Sequence, residues 1–420
     1  MCVGLCGVNC LHPFVRGGKN TRNLAKLETN SLQASTLALL AWFDRCQRPL
    51  PWRAGRDPYA VWLSEIILQQ TRVDQGVAYW HRFIARWPDV CALAAADEED
   101  ILKMWQGLGY YARARNLHRA AQMVRDRWGG EFPRTAAGLR ELPGVGPYTA
   151  AAIASICFGE PVAAVDGNVQ RVVTRFFGSD LPVDRPEGAA FVAQGAAALL
   201  HPDRAGDFNQ AMMELGATVC TPRTPDCVAC PLGDRCASAL PTSRADARAG
   251  AGSGMDSGTG AAAALARPVK AGKTRVVEVA WSFHVLTDGE RVAMRRRPAG
   301  GVWGGLWEFP SELGEMEPAA AGWKPAGCAH PATTHLLSHR RVEARFPLWI
   351  RTKSEAFPGE LPEGWRWLEW QDAADLAVPR LVDKVWTAAR EAAASAAADC
   401  MQGLPTFGDE RPHPWLESTK

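Results

Sequence analysis

Four cysteines crowded into seventeen residues constrain this chain more than any other feature. Cys220, Cys227, Cys230 and Cys236 are spaced C-x6-C-x2-C-x5-C in CTPRTPDCVACPLGDRC. Pro222, Pro225, Pro231 and Gly233 bend the backbone around them, so the thiolates can converge on one soft metal centre. Zinc in tetrahedral sulfur and an iron–sulfur cluster both suit such a set, and spacing alone does not separate them. The sequence holds twelve cysteines and no secretory leader, which argues for thiols or metal ligands rather than a disulfide framework. Cys2, Cys6 and Cys10 fall four apart, match no ligand pattern and stay unexplained.

The rest of the chain reads as two folded regions and a spacer. From 31 to 238, apolar residues recur at three- and four-residue steps, as in Leu37, Leu40, Ala41 and Phe43 or Val169, Val172, Val173 and Phe176, which predicts successive amphipathic helices. Residues 239–274 turn to Gly, Ala, Ser and Pro with almost no large apolar group and read as a flexible linker. From 275 to 402 the pattern is α+β: RVVEVAWSFHVL alternates, a DGE turn follows, then RVAMRRRP, and an Ala-rich helix begins near Val382. Residues 1–30 and 403–420 read as tails. No apolar run is long enough to span a membrane, so no membrane partner is expected. With 47 basic against 45 acidic side chains the formal charge is only +2, so an anionic partner must be held by local sites and not by a global field.

Two local devices could do so. LPGVGPYTAA sets Gly144, Val145 and Gly146 before a helix opened by Pro147; glycines allow close backbone approach, and free amides at a helix N-terminus bind an anion without basic side chains. Asp166, between PVAAV and GNVQRVVTRFF, is placed to cap a helix whose dipole keeps a carboxylate ionised. Glu65 presents the opposite environment. Asp57 and Pro58 start its helix, Val61 and Leu68 share its face, and desolvation there pushes a carboxyl toward its protonated form. One protonated and one ionised carboxyl can protonate a leaving group and stabilise the cation left behind, the logic of sugar–base bond cleavage.

Together the cysteine spacing and LPGVGPYT resemble the iron–sulfur loop and the helix-hairpin-helix of the endonuclease III family of DNA glycosylases. SEIILQQT resembles the segment that carries the catalytic glutamate in the family's adenine-specific branch. The resemblance covers roughly residues 31 to 400. It implies a multidomain protein, with a mostly α helix-hairpin-helix domain, a [4Fe–4S] cluster on the four cysteines, and an α+β Nudix-like C-terminal domain. Glu65, Asp166 and Tyr148 would be catalytic, Asp166 and Tyr148 holding the cationic sugar, with Asn168 orienting water and carboxylate. Tyr148 stands where bifunctional members carry a Schiff-base lysine, which implies base removal without strand cleavage. Arg53 in PWR, Gln69, Gln70, Thr71, Leu108 and Tyr110 would contact DNA around an extruded adenine, and Arg223 and Arg235 would face phosphates.

GGVWGGLWEFP resembles part of a Nudix domain whose acidic helix is missing; Glu312, Glu315 and Glu317 follow instead, without the carboxylate set a magnesium site needs. Such a domain fits recognition, with Ser338 and His339 in HLLSHRR matching the segment that reads 8-oxoguanine, although Leu337 replaces a frequent aromatic. The expected substrate is double-stranded DNA with adenine opposite 8-oxoguanine or guanine, handled by a monomer in the cytoplasm of a bacterium or the nucleus or mitochondrion of a eukaryote. Rival readings are a pyrimidine-lesion glycosylase/lyase, an iron–sulfur DNA-binding module without chemistry, and a Nudix hydrolase.

Overall fold

A computed structural model of the chain describes residues 29–239, 263–272, 276–298, 300–311, 322–351 and 362–401. The N-terminal cysteines, all but the last two residues of the N-terminal tail, residues 240–262 of the expected linker, the C-terminal tail and Glu312, Glu315 and Glu317 lie outside them. The described chain divides into two compact units that do not follow the boundaries expected from sequence. One comprises the chain up to Val61, Pro133–Glu141 and Val145–Lys273; the other comprises Trp62–Phe132, Leu142–Gly144 and the chain from Thr274 on.

The first unit contains α1 (Thr29–Cys46), a 3-10 turn Pro51–Arg53 and the start of α2 (Pro58–Leu68). Helix α2 begins as expected, with Pro58 at its first position and Asp57 accepting from the Tyr59 amide at 3.0 Å. Later members are α7 (Ala136–Leu139), α8 (Pro147–Phe158), α9 (Gly167–Phe177), α10 (Pro186–Leu199) and α11 (Ala205–Thr218). Their core joins Phe43, Val172, Phe176, Phe191, Phe208 and Leu215, and the cysteine loop closes onto it through Leu232.

Residues 263–272 differ from the expected flexible linker. They lie on the first unit: Arg175 Nε donates to Ala264 O at 2.7 Å, Val183 N to Val269 O at 3.0 Å, and Asp184 accepts from the Ala271 and Gly272 amides. Composition pointed to a spacer because large apolar groups are scarce there, yet backbone polar groups hold the segment.

The second unit carries most of α2, then α3 (Val73–Arg86), α4 (Val90–Ala94), α5 (Glu98–Trp105) and α6 (Ala112–Trp128). It also holds seven strands, β1 (Val277–Ser282), β2 (Val285–Thr287), β3 (Arg291–Arg296), β4 (Trp307–Glu308), β5 (Lys324–Leu336), β6 (Arg340–Ile350) and β7 (Trp365–Glu369), followed by α12 (Trp370–Ala373) and α13 (Arg380–Met401). Strands β1 and β2 run parallel along one edge of β6, whereas β5 pairs antiparallel along the other. In β6, Val342, Ala344, Phe346, Leu348 and Ile350 alternate inward, the two-residue period of a strand buried on one face. Helix α13 covers that face with Val382, Val385, Ala389, Ala393 and Ala396, at helical spacing. Truncating Phe346 to alanine would cost about 3–5 kcal/mol through the cavity left in this core.

The sheet domain meets helices of its own unit through polar contacts. Trp307 Nε1 donates to Glu99 at 2.8 Å, Lys103 Nζ to the Ala374 and Leu376 carbonyls at 2.6 and 3.1 Å, and Gln106 Nε2 to Asp383 at 2.8 Å. Tyr111 adds a bond to Val378 O at 3.2 Å.

Candidate active site

In the first unit the expected site residues gather along α11. Asp166 caps α9 from extended backbone: one carboxylate oxygen accepts from the Val169 amide at 2.7 Å, the other from Asn168 Nδ2 at 2.7 Å. Asn168 Oδ1 accepts from Arg171 Nη2 at 2.7 Å, and the same guanidinium donates to Gly216 O at 2.6 Å and Cys220 O at 2.7 Å. Burial pulls Arg171 below its ordinary pKa. Gly216 must be glycine: a Cβ there would fall 2.5 Å from Asn168 Cβ. The carboxylate is therefore aimed by its cap, by Asn168 and, through Asn168, by a buried arginine.

The next arginine on α9 reaches the cysteine loop. Arg175, 2% exposed, donates from Nη1 to Cys220 Sγ at 3.3 Å and to Thr221 O at 2.7 Å. Cys220, Cys227, Cys230 and Cys236 line one cavity with Arg175, Pro225 and Ala264. Burial raises the Cys230 thiol to about 12 and the Cys236 thiol to about 11, so without a metal both stay protonated; a bound metal reverses that preference. Among the described residues no three His, Cys, Asp or Glu side chains are gathered to hold a single ion. Four sulfurs facing one cavity are a donor set that fits a [4Fe–4S] cluster, which takes one thiolate per iron. Arg223 and Arg235 are both exposed on this loop.

Tyr148, in the first turn of α8, is half-buried and donates its hydroxyl to Met213 Sδ at 3.0 Å. Arg53 is not free to meet a phosphate: its Nη2 pairs with Glu214 at 2.9 Å, and Arg48 grips the same carboxylate at 2.6 and 2.9 Å. Glu214 is 1% exposed; burial pushes its pKa up, but the two arginines hold it below the ordinary value. Sequence reasoning missed Glu214, Arg171 and Arg175. The signal for Glu214 was present, since a lone carboxylate in AMMELGA mirrors the setting that singled out Glu65.

In the second unit, Glu65 is half-buried on α2 between the buried Ser64 and Ile66. After α2, Gln69 is half-buried, Gln70 adopts a left-handed backbone with φ 59°, and the Thr71 hydroxyl oxygen is enclosed with no hydrogen-bond partner among the described residues. Leu108, expected at DNA, is buried in the protein at 7% exposure, whereas Tyr110 is 48% exposed with φ 49°. The Tyr110 hydroxyl is hydrogen-bonded to Ser338 Oγ. Ser338 and His339 form the exposed tip of the β5–β6 hairpin, closed by Leu337 N to Arg340 O at 2.8 Å.

At the helix hairpin, Gly144 has φ 78°, and a Cβ there would meet Asn116 Cβ at 2.8 Å. Val145 is buried, and the exposed Gly146 caps α8 with free space where a side chain would stand. That leaves the helix N-terminus open to an anion.

Residues 63–187 match the HhH-GPD superfamily of base excision DNA repair proteins, and residues 282–388 match the NUDIX domain. A glycosylase region followed by a Nudix-like sheet domain is the class that the fold and these matches define. The chain is 35% identical to the adenine DNA glycosylase of Mus musculus, over 83% of this chain and 76% of that protein. It is 34% identical to the adenine DNA glycosylase of Homo sapiens, over 83% and 72%. Against the Mycolicibacterium smegmatis adenine DNA glycosylase the identity is 42%, over 48% and 68%. The chain belongs to the adenine DNA glycosylase family, a DNA glycosylase of base excision repair. Among solved structures, a thermostable thymine-DNA glycosylase matches at 29% identity over 50% of this chain and 98% of that chain, with a TM-score of 0.46.

Proposed function

We propose that this chain is a monofunctional glycosylase that removes adenine mispaired with 8-oxoguanine or guanine and leaves an abasic site. Glu65 delivers a proton to adenine N7, and the electron pair of the N-glycosidic bond departs with the base. The Asp166 carboxylate offsets the charge of the oxocarbenium ion that remains. Water adds its oxygen to C1′ and returns a proton to Glu65, with Asn168 fixing the carboxylate throughout. Tyr148 supplies no amine, so no Schiff base forms and the strand stays intact. Cys220, Cys227, Cys230 and Cys236 hold a [4Fe–4S] cluster, which ties the loop to the end of α11.

The observation that carries the lesion reading is the Tyr110–Ser338 hydrogen bond, which joins the hairpin tip of the sheet domain to an exposed aromatic in the loop before α6. The decisive assay is excision from a labelled duplex with one adenine opposite 8-oxoguanine, against an adenine–thymine control, with and without hot alkali. Breaks only after alkali and only in the lesion duplex are expected. Breaks without alkali would mean a lyase, and none at all would remove the enzymatic reading.

A further inference from the structure

Arg113, near the start of α6, directs its guanidinium at backbone carbonyls of two separate stretches of chain. Its Nη1 donates to the Ile66 and Ile67 carbonyls, both at 2.9 Å, and its Nη2 to the Leu108 and Gly109 carbonyls at 3.0 and 3.1 Å. The first pair are among the last carbonyls of α2, which have no intrahelical donor. The guanidinium also stands 5.1 Å from the Trp105 ring and 5.8 Å from the Tyr110 ring. Among the described residues no carboxylate shares these contacts; carbonyl dipoles at a helix C-terminus and two π faces balance the charge.

The two stretches so joined are those leading into Gln69–Gln70–Thr71 and into Leu108–Tyr110. Each contains a non-glycine residue in the left-handed region, Gln70 at φ 59° and Tyr110 at φ 49°. Such backbone persists only where its surroundings over-determine it. A planar fork with four directed bonds does that; a lysine, with one nitrogen and three donors, cannot reach both pairs in this geometry.

We infer that Arg113 is a positioning residue, a clamp that fixes the spacing and backbone conformation of two loops which together extrude the target base. It touches no reacting atom in this role. The inference rests on the glycosylase reading above, and the experiment separates the two. A duplex with 2-aminopurine in place of the target adenine, opposite 8-oxoguanine, reports extrusion by fluorescence, and single-turnover excision of adenine reports chemistry.

Wild-type protein should show both signals. Arg113→Lys should lose about 100-fold in excision and most of the fluorescence rise, the scale expected when a positioning contact is misplaced by about 1 Å. Its duplex affinity and unfolding temperature should stay near wild type. Methylguanidinium added to Arg113→Ala should restore excision, while methylammonium at equal ionic strength should not. Arg113→Lys with wild-type extrusion and excision overturns the clamp, as does a loss that tracks unfolding and resists methylguanidinium. Wild-type protein that neither extrudes nor excises overturns the glycosylase reading itself, and the clamp with it.

Discussion

The surroundings of Asp166 and the tip of the β5–β6 hairpin solve opposite problems. Around Asp166, both carboxylate oxygens, Asn168 and Arg171 are fixed by bonds of 2.6 to 2.7 Å, in an environment closed by α11. At the hairpin, Ser338 and His339 are exposed, and Ser338 is linked to the loop before α6 through one hydroxyl of Tyr110. Charge stabilisation gains from dipoles that need no reorganisation at the moment of reaction. Reading a base requires groups that the nucleic acid can reach. On the proposed function, the difference teaches that fixed hydrogen bonds are concentrated where charge would develop and exposure is kept where a nucleic acid would enter.

The comparison predicts a graded series of effects. The largest belongs to the carboxyl groups: Asp166→Asn and Glu65→Gln should each lower single-turnover excision by roughly 10³-fold, within the range for losing charge stabilisation or a general acid. Binding of the lesion duplex should survive. Near-wild-type rates in either variant would break the link between the ordered network and the chemistry.

Next comes Arg171→Ala, which strips Asn168 Oδ1 and the Gly216 and Cys220 carbonyls of a charged donor. A fall of roughly 10- to 100-fold in excision, with about 3 kcal/mol of lost stability in urea, follows from removing several charge-assisted bonds. Loss of stability without loss of rate would confine Arg171 to a structural role.

Acidification should separate the two units. His284, between β1 and β2, accepts from Trp349 Nε1 at 3.2 Å, and burial lowers its pKa from 6.5 to about 4. Between those values the unfolded chain binds the proton that the folded histidine refuses, so stability is intact above pH 6.5 and falls as pH drops toward 4. The loss should reach about 2 kcal/mol after allowance for partial exposure. Glu214 has a lowered pKa, so its contribution is present above the ordinary value of 4.5 and is lost only further into acid. Urea unfolding at pH 7.5 and 5 should therefore show the sheet domain weakening first, and His284→Gln should flatten that dependence. An unchanged slope in His284→Gln would refute the assignment.

The smallest effect is expected from Ser338→Ala. Removing one exposed hydroxyl should cut the preference for 8-oxoguanine over guanine opposite the adenine by about fivefold, near 1 kcal/mol, without shifting the unfolding temperature. Equal excision of both mispairs by wild-type protein would show that the hairpin does not discriminate.

Much of this arrangement is legible in the chain. The Asp166 cap, the Asp57–Pro58 helix start, the opening of α8 at Pro147 and the inward alternation of β6 follow from local rules, because their physics acts over a few residues. Glu214 is marked by its apolar window, but its arginine partners are not, and the roles of Arg171, Arg175 and Arg113 are not legible because each depends on carbonyls brought in from distant parts of the chain. Arg53 was assigned to DNA by its motif, yet it is committed to a buried carboxylate. Leu108 carries the motif of a residue meeting DNA, and its own loop folds it inward. The hydrogen bonds that residues 263–272 make through their backbone to the first unit, unlike contacts of apolar side chains, leave no mark on composition.

Gly216 carries a consequence for heredity. It has no functional group and would escape any survey of catalytic chemistry, yet one added methyl would press on Asn168 and tilt the carboxylate it aims. A single nucleotide change can turn a glycine codon into an alanine codon. On the proposed mechanism, a lineage carrying that allele would keep Glu65, Asp166 and Asn168 and still accumulate mutations that base excision repair prevents.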